Sequence, residues 1–202
     1  MGQMKKSYAN VNTYVRNGQN VISSKPLIRK DAKTVAQQSH RAGFKLITTT
    51  YPTFGGYIEV GYPVRSAKQT AFNAFVAENF PRAIVNSGET PVIDYSELKV
   101  SKGTLTSMNL ISATVNETGL VATFQTNAGL PNLSSADVAI LLVKTISGRL
   151  YVTKGIRGSE DETVLTVPIE NLQIADVECV YLIMTTADGK KAADSVFVEL
   201  TA

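Results

Sequence analysis

The 202-residue chain has one cysteine, one histidine and no tryptophan. The single cysteine, Cys179, excludes an intramolecular disulfide framework and a zinc site built from cysteines. The single histidine, His40, excludes metal sites that need several imidazole ligands. No apolar run approaches the roughly 20 residues of a membrane-spanning helix. No apolar stretch follows the lysines near the N-terminus, so a signal peptide is not expected either.

This scarcity bears on catalysis, because nucleophilic mechanisms usually need a nucleophile beside a base. His40 lies among polar residues of an expected helix, which favours a surface or interface role. Cys179 lies in an apolar strand, which favours a buried and inert thiol. The acidic run Glu160-Asp161-Glu162 lacks the alternating spacing of a calcium loop and is expected to be a solvated turn. We therefore expect no enzyme, no cofactor, and no catalytic, cofactor-binding or metal-binding residues.

Charge is unevenly distributed along the chain. Residues 1–50 contain nine lysines and arginines against Asp31 alone, whereas residues 51–202 contain eleven bases and sixteen acids. A basic segment joined to an acidic body is typical of proteins that contact nucleic acid or the acidic surfaces of other subunits. Because the bases are spread over fifty residues with no block of five, protein contacts are favoured and nucleic acid stays the alternative. A solvated segment without a function is the third interpretation.

The N-terminal segment, residues 1–30, is rich in Asn, Ser and Gly. It contains short β-prone pieces, among them Asn12–Arg16 and Asn20–Ile22. We expect an extended basic arm, which would reach about 100 Å if every residue were fully extended.

Two helices are expected in the region 31–95. The first is predicted over residues 31–48, with Asp31 as its N-cap and breaks at Tyr51-Pro52 and Gly55-Gly56 after it. The second is predicted over residues 66–80, where Ser66 opens a run with an apolar stripe at helical spacing. Asn86-Ser87-Gly88 is expected to end this helical region.

From Val92 onward, short β-branched runs alternate with turn clusters. This pattern predicts an immunoglobulin-like antiparallel β-sandwich over residues 96–202, in a chain that is α+β and mainly β. Asp188-Gly189 predicts a hairpin between the last two strands. The expected strands are Leu98–Val100 with Thr104-Leu105, Ile111–Val115, Leu120–Gln125, Val138–Lys144, Leu150–Lys154, Thr163–Val167, Glu178–Thr186 and Ala193–Leu200.

Four stretches together are similar to one known group of proteins. AKTVAQQSHRAGF has Thr34, Gln38, Arg41 and Phe44 in the places of a Thr-x-x-x-Gln-x-x-x-Arg-x-x-Phe helix. NAFVAENFPRAIVNSGETPVIDYSELKVSKGTL leads from an Asn-, Ala- and Phe-rich helix to an Ile-Asp-Tyr-Ser strand and a Val-Ser-Lys-Gly-Thr-Leu step. The sandwich hairpins are matched by DVAILLVKTISGRLYVTKGIRGSEDETVLTVP and VYLIMTTADGKKAADSVFVEL.

Over about residues 31–200 the chain resembles an uncharacterised domain-of-unknown-function family of Bacteroidota and their phages. It departs from that family at the N-terminus, where related chains have more glycines and an Arg-Pro step, to which Lys25-Pro26 is the nearest match. The resemblance implies the architecture described above and supplies no activity, cofactor or site residues.

These features lead us to expect a non-enzymatic structural subunit of a multi-subunit particle, in particular a phage virion neck, tail or ring component held to its neighbours by the N-terminal arm. The expected partners are further copies of the chain and other structural proteins of the same assembly, with no membrane partner. The expected location is the virion, assembled in the bacterial cytoplasm. The alternative is a bacterial binding or surface-associated immunoglobulin-like module, with its ligand in the sandwich loops around residues 126–136 or 155–162.

Overall fold

The computed structural model describes residues 7–8, 10–25, 33–66, 68–80, 82–87, 90–127, 129–131 and 133–201. The chain divides into two compact units, Met1–Gln37 and Gln38–Ala202. A small antiparallel sheet belongs to the first unit, and all later strands belong to the second. Asp31, the expected cap of the first helix, and Gly88, part of the expected end of the helical region, lie outside the described residues.

The first unit is built on a β-hairpin. Its strands β1 (Ser7–Tyr8), β2 (Val11–Arg16) and β3 (Gln19–Ser24) pair antiparallel in the order β1-β2-β3. Asn17 and Gly18 join β2 to β3 with positive φ angles of 51° and 80°, as a two-residue hairpin turn of this type requires. The two β-prone pieces of the expected arm therefore pair with each other. Because residues 11–24 fold back on themselves as a hairpin, they span a shorter distance than the fully extended arm expected from the sequence.

Helix α1 (Val35–Gly61) begins later and ends later than expected. Thr34 caps it: the Thr34 hydroxyl accepts a hydrogen bond from the Gln37 N–H, and the Gln37 side chain accepts one from the Thr34 N–H, both at 3.3 Å. This reciprocal pair is a capping box. The helix continues through Tyr51-Pro52 and kinks at Gly55, whose φ of 21° and ψ of −104° are not helical. The expected end at residue 48 is therefore wrong.

Helix α2 (Ala71–Asn79) is shorter than the helix expected over residues 66–80. Its N-cap is Thr70, which accepts a hydrogen bond from the Asn73 N–H at 3.1 Å, and not the expected Ser66. After α2 the chain forms a two-stranded ribbon of β4 (Ile84–Ser87) and β5 (Thr90–Ile93), which the sequence analysis did not predict.

Seven strands in the rest of the chain form two antiparallel sheets, so the α+β, mainly β class is confirmed. The three-stranded sheet has the order β10-β7-β6, and the four-stranded sheet has the order β12-β11-β8-β9. The immunoglobulin-like type stays a prediction. The strands are β6 (Asn109–Asn116), β7 (Gly119–Gln125), β8 (Val138–Thr145), β9 (Leu150–Ile156), β10 (Glu162–Pro168), β11 (Val177–Thr185) and β12 (Val196–Phe197).

Two of the expected strands differ from the structure. The expected first strand, Leu98–Val100 with Thr104-Leu105, is irregular, and within it Leu105 makes an isolated parallel bridge to Ala193. The expected last strand over residues 193–200 is regular only at β12. Between β11 and β12, Gly189 has a positive φ of 67° in a tight turn, so the Asp188-Gly189 reversal is confirmed.

The four-stranded sheet lies between the three-stranded sheet and the helices. Side chains alternate between the two faces of a strand, and each face of this sheet has its own core. One face packs against the three-stranded sheet, and the other packs against α1 and α2. The first core includes Leu141, Val143, Leu182 and Met184 with Leu120, Phe124 and Leu165; the second includes Ile140, Leu142, Tyr181 and Ile183 with Ile47, Phe54, Ile58 and Phe75.

A buried amide fixes the end of α2 against the segment that precedes the sandwich. The Asn79 side chain donates to the carbonyl oxygens of Phe75 and Lys99, both at 2.9 Å, and accepts from the Lys99 N–H at 2.7 Å. The Tyr62 hydroxyl, at the end of α1, donates to the same Lys99 oxygen at 2.9 Å. Burial raises the pKa of Tyr62 above its ordinary value. Both helix ends are therefore anchored to the backbone of Lys99.

A buried arginine holds the loops together at one end of the sandwich. The Arg157 side chain is 1% exposed and donates to the carbonyl oxygens of Thr126 and Thr106, each at 2.6 Å. Its Nε lies 3.4 Å from the buried Asp137 carboxylate, whose Oδ2 also accepts from the Ser134 N–H. A buried cation needs such partners, because an unpaired charge in the interior is strongly unfavourable.

The close approach of α1 to the segment after Leu98 predicts opposite effects for two glycines of one helix. A Cβ at Gly61 would lie 2.5 Å from the Val100 carbonyl oxygen, whereas a Cβ at Gly56 would have nothing within 4 Å. We expect Gly61→Ala to lower the free energy of unfolding by about 1–3 kcal/mol. Gly56→Ala should be neutral or stabilising by up to about 1 kcal/mol. Urea unfolding measures both, and equal effects would contradict the packing described.

The Arg157 network predicts a large stability loss when its cation is removed. Arg157→Met leaves the Asp137 carboxylate buried without its partner, so we expect a loss of about 3–5 kcal/mol in the free energy of unfolding. Arg149→Met, at an exposed arginine, is the matched control and should change stability by less than about 0.5 kcal/mol. The double variant D137N/R157M should recover part of the loss. If Arg157→Met is as stable as Arg149→Met, the assigned role of Arg157 in the buried network is wrong.

Candidate functional site

The hairpin of the first unit exposes two sheet faces. Because directly opposed residues share a face, Thr13 and Ile22 lie on one side, and Tyr14 and Val21 lie on the other. No described side chain between residues 10 and 25 is buried. The Ile22 side chain is 70% exposed. The hairpin face is defined here as Val11, Thr13, Val15, Asn20, Ile22 and Ser24, and it contains no charged residue.

A sheet of this size needs a surface to pack against. Small β-ribbons are marginally stable in water unless a hydrophobic face is covered. The apolar residues of the hairpin face gain that stabilisation only when they are removed from water. The sequence of residues 1–37 also contains seven lysines and arginines against one acid, whereas residues 38–202 contain thirteen bases and sixteen acids. The hairpin is therefore a candidate interaction surface for an apolar patch with an acidic border.

A group of titratable side chains in the second unit surrounds Lys144. The pairing of β11 with β8 shifts at Glu178, so this residue forms a β-bulge beside Lys144. The Lys144 ammonium group pairs with the Glu178 carboxylate and lies 5.1 Å from the centre of the Tyr95 ring. The Tyr181 hydroxyl donates to the Tyr95 carbonyl oxygen at 2.6 Å. Cys179 is directly opposite Lys144 in the sheet.

The protonation of this group favours a structural role. Burial lowers the pKa of Lys144, while the nearby Cys179 opposes that shift. Burial raises the pKa of Cys179 to about 12. A thiol with such a pKa is almost entirely protonated at neutral pH, and the protonated thiol is a poor nucleophile. Cys179 therefore lies in the core where the sequence placed it, and Lys144 and Glu178 close the end of that core with an ion pair.

The other residues that the sequence singled out do not come together. His40 is exposed on α1, with its ring edge to face against Phe80 at a centroid distance of 4.8 Å. Glu160, Asp161 and Glu162 are exposed at the turn before β10, where the Thr126 hydroxyl donates to the Glu160 carbonyl oxygen. Within the described residues, no group of three or more His, Cys, Asp or Glu side chains is arranged to hold a metal ion.

A groove lies near the buried arginine, at the loop end of the sandwich. Its volume is about 400 Å³, within the range of small-molecule sites. The groove takes Pro131 and Leu133 from the loop 126–136 that the sequence analysis proposed for a ligand, whereas no residue of 155–162 lines it. Its lining is Thr104, Leu105, Thr106, Pro131, Leu133, Thr186 and Lys191.

Sequence reasoning missed Arg157, the Lys144–Glu178 pair and the hairpin. Only the hairpin had a local signal, Asn17-Gly18 between two β-prone pieces. Within the described residues, none of the helices has the length and apolarity to span a membrane.

Comparison with known proteins identifies a family to which the chain is similar. No curated protein and no solved structure is significantly similar to the chain. A family of unknown function, DUF6266, matches residues 3–199. The match covers the hairpin, both helices and both sheets, and it reaches further toward the N-terminus than the resemblance noted from the sequence. The chain therefore belongs to this family of unknown function.

Proposed function

We propose that the chain is a non-enzymatic structural subunit of a multi-subunit particle and that its N-terminal hairpin packs on neighbouring copies. The observation that carries the proposal is the unburied hairpin: its apolar side chains have no core among the described residues of the first unit. Ordering a segment costs about 1–2 kcal/mol per residue in conformational entropy. Contacts with a partner offset that cost, and a neighbouring subunit supplies them.

The particle we propose is a phage virion, with the chain in its neck, tail or ring. This part of the proposal rests on the sequence resemblance to proteins of Bacteroidota and their phages, and on the combination of a basic N-terminal segment, helices and a β-sandwich. That combination is an argument from architecture, and architecture alone does not fix a function. The virion is accordingly the proposed location, and other structural proteins of the virion are the proposed further partners.

A second candidate function is a bacterial binding or surface-associated module of immunoglobulin-like type. The groove beside Thr106 and Lys191 favours it, because a cavity of about 400 Å³ between loops can hold a small ligand. This module would work as a monomer and would not need the hairpin for its activity. Removal of the hairpin should therefore disrupt the structural subunit but leave the activity of a binding module unchanged.

Removing the hairpin should abolish self-association without unfolding the rest. The second unit has both hydrophobic cores, so a variant lacking residues 1–30 should keep its circular dichroism spectrum and unfold cooperatively. Sedimentation velocity should show oligomers for the full chain and a monomer for the variant. Ile22→Asp should weaken the oligomer, whereas Ile146→Asp, at a similarly exposed isoleucine of the sandwich, should not. A full chain that is monomeric at every concentration would contradict the proposal and favour the binding module.

The virion assignment predicts where the protein is found. Gradient-purified phage particles from the native source should contain the chain in stoichiometric amount by quantitative mass spectrometry. A soluble extract of the host cells is the control and should contain much less. If the chain is absent from the particles but abundant in the cell or its envelope, the virion assignment fails.

A further inference from the structure

The three-stranded sheet exposes a second charge-poor face. Its register places Ser112, Thr123 and Val164 in one row across the strands, and Thr114, Val121 and Thr166 in the next. The alternate residues, including Leu120, Ala122 and Phe124, point into the core. The outer face is defined here as Ser112, Thr114, Asn116, Val121, Thr123, Gln125, Glu162, Val164, Thr166 and Pro168; all ten are half-buried or exposed.

The outer face has one charged residue among its ten positions, Glu162 at one end. The chain is not short of charge, since it has 37 lysines, arginines, aspartates and glutamates. Natural proteins often place charged side chains on exposed edge strands, because an uncharged edge can pair with another chain. The edge strands of this sheet are β6 and β10. Depletion of charge is also the compositional mark of the centre of a protein interface. Val164 is the large apolar side chain of this face that is mostly exposed, at 57%.

The outer face is similar to the hairpin face in strand number and composition, and it is the larger of the two. Both are antiparallel sheets of three strands, and their longer strands have six to eight residues. Both faces combine valine or isoleucine with threonine and have no lysine or arginine. Two such sheets can pack face to face at about 10 Å, with their side chains interdigitating. Contact between them would remove apolar surface from water on both sides.

Charge around the two faces is of opposite sign. The hairpin belongs to a unit whose sequence has seven bases and one acid, and Arg16 lies at its turn end, on the side opposite the hairpin face. Glu160, Asp161 and Glu162 lie at the end of the outer face where β10 begins, and all three are exposed. Charges at the border of an interface orient the partners and exclude like-charged surfaces.

We propose that the hairpin face of one copy docks on the outer face of a second copy. This inference rests on the proposed structural role and names the surface that accepts the hairpin. Because donor and acceptor are different surfaces, each copy can donate one hairpin and accept another. A heterologous contact of this kind closes into a ring or continues as a filament.

A lysine on the β10 edge strand of the outer face tests the inference. In the full-length chain, Val164→Lys places an uncompensated charge in the contact and repels the basic hairpin unit, so self-association should weaken at least about tenfold by sedimentation velocity. Val92→Lys, at a valine of the β4–β5 ribbon that is 46% exposed, is the matched control and should leave association unchanged. Thermal unfolding of both variants should stay close to that of the wild type.

Charge reversal and cross-linking supply the second readout. Glu162→Lys should weaken association, because it replaces the acid of the outer face with a charge that repels the basic hairpin unit. In an equal mixture of ordinary and ¹⁵N-labelled chains, cross-links between the hairpin and β10 should join light chains to heavy chains.

The outcomes separate the two proposals. If loss of residues 1–30 dissociates the oligomer but Val164→Lys behaves like Val92→Lys, the outer face is not the acceptor and the structural role still stands. If loss of residues 1–30 changes nothing, both proposals fall. Cross-links confined to single chains would also overturn the docking between copies.

Discussion

The organisation of the second unit depends on a four-stranded sheet that is covered on both faces. Its central strands, β8 and β11, have no solvent side over most of their length, so consecutive residues such as Leu141 and Leu142 belong to different cores. A polar side chain in the middle of either strand would face one core or the other without water. The titratable residues Lys144 and Glu178 occur where the paired strands reach the end of the sheet, and they pair with each other there.

This constraint explains which parts of the fold the sequence could reveal. The continuous apolar runs of β8 and β11 are typical of strands buried on both sides, and both strands were predicted close to their observed bounds. The helix boundaries were harder to predict, because several residues could serve equally well as the N-cap. Thr34 with Gln37 forms the capping box that the sequence analysis overlooked, and Thr70 replaces Ser66. Pro52 failed to end α1, since tertiary packing outweighs local preference.

The candidate sites were harder to predict for a physical reason. Arg157 lies in a glycine-containing turn that looks solvated in the sequence. Its burial depends on carbonyl groups 31 and 51 residues away, at Thr126 and Thr106, which no local pattern encodes. The hairpin had its local signal in Asn17-Gly18, but whether its apolar side chains are covered depends on tertiary packing. The pairing of two strands in a hairpin can be inferred from the residues between them. The burial of a side chain depends on which other elements pack against its face.

The charge of the two sheet faces can be compared with the charge of the whole chain. The chain has 37 charged residues in 202, so an even spread would place about one charge on the six-residue hairpin face and about two on the ten-residue outer face. The hairpin face has none, and the outer face has Glu162 alone. A surface held in water gains solubility from lysine and glutamate, and a surface covered by a partner loses affinity from them. The low charge of both faces supports the proposed docking between copies.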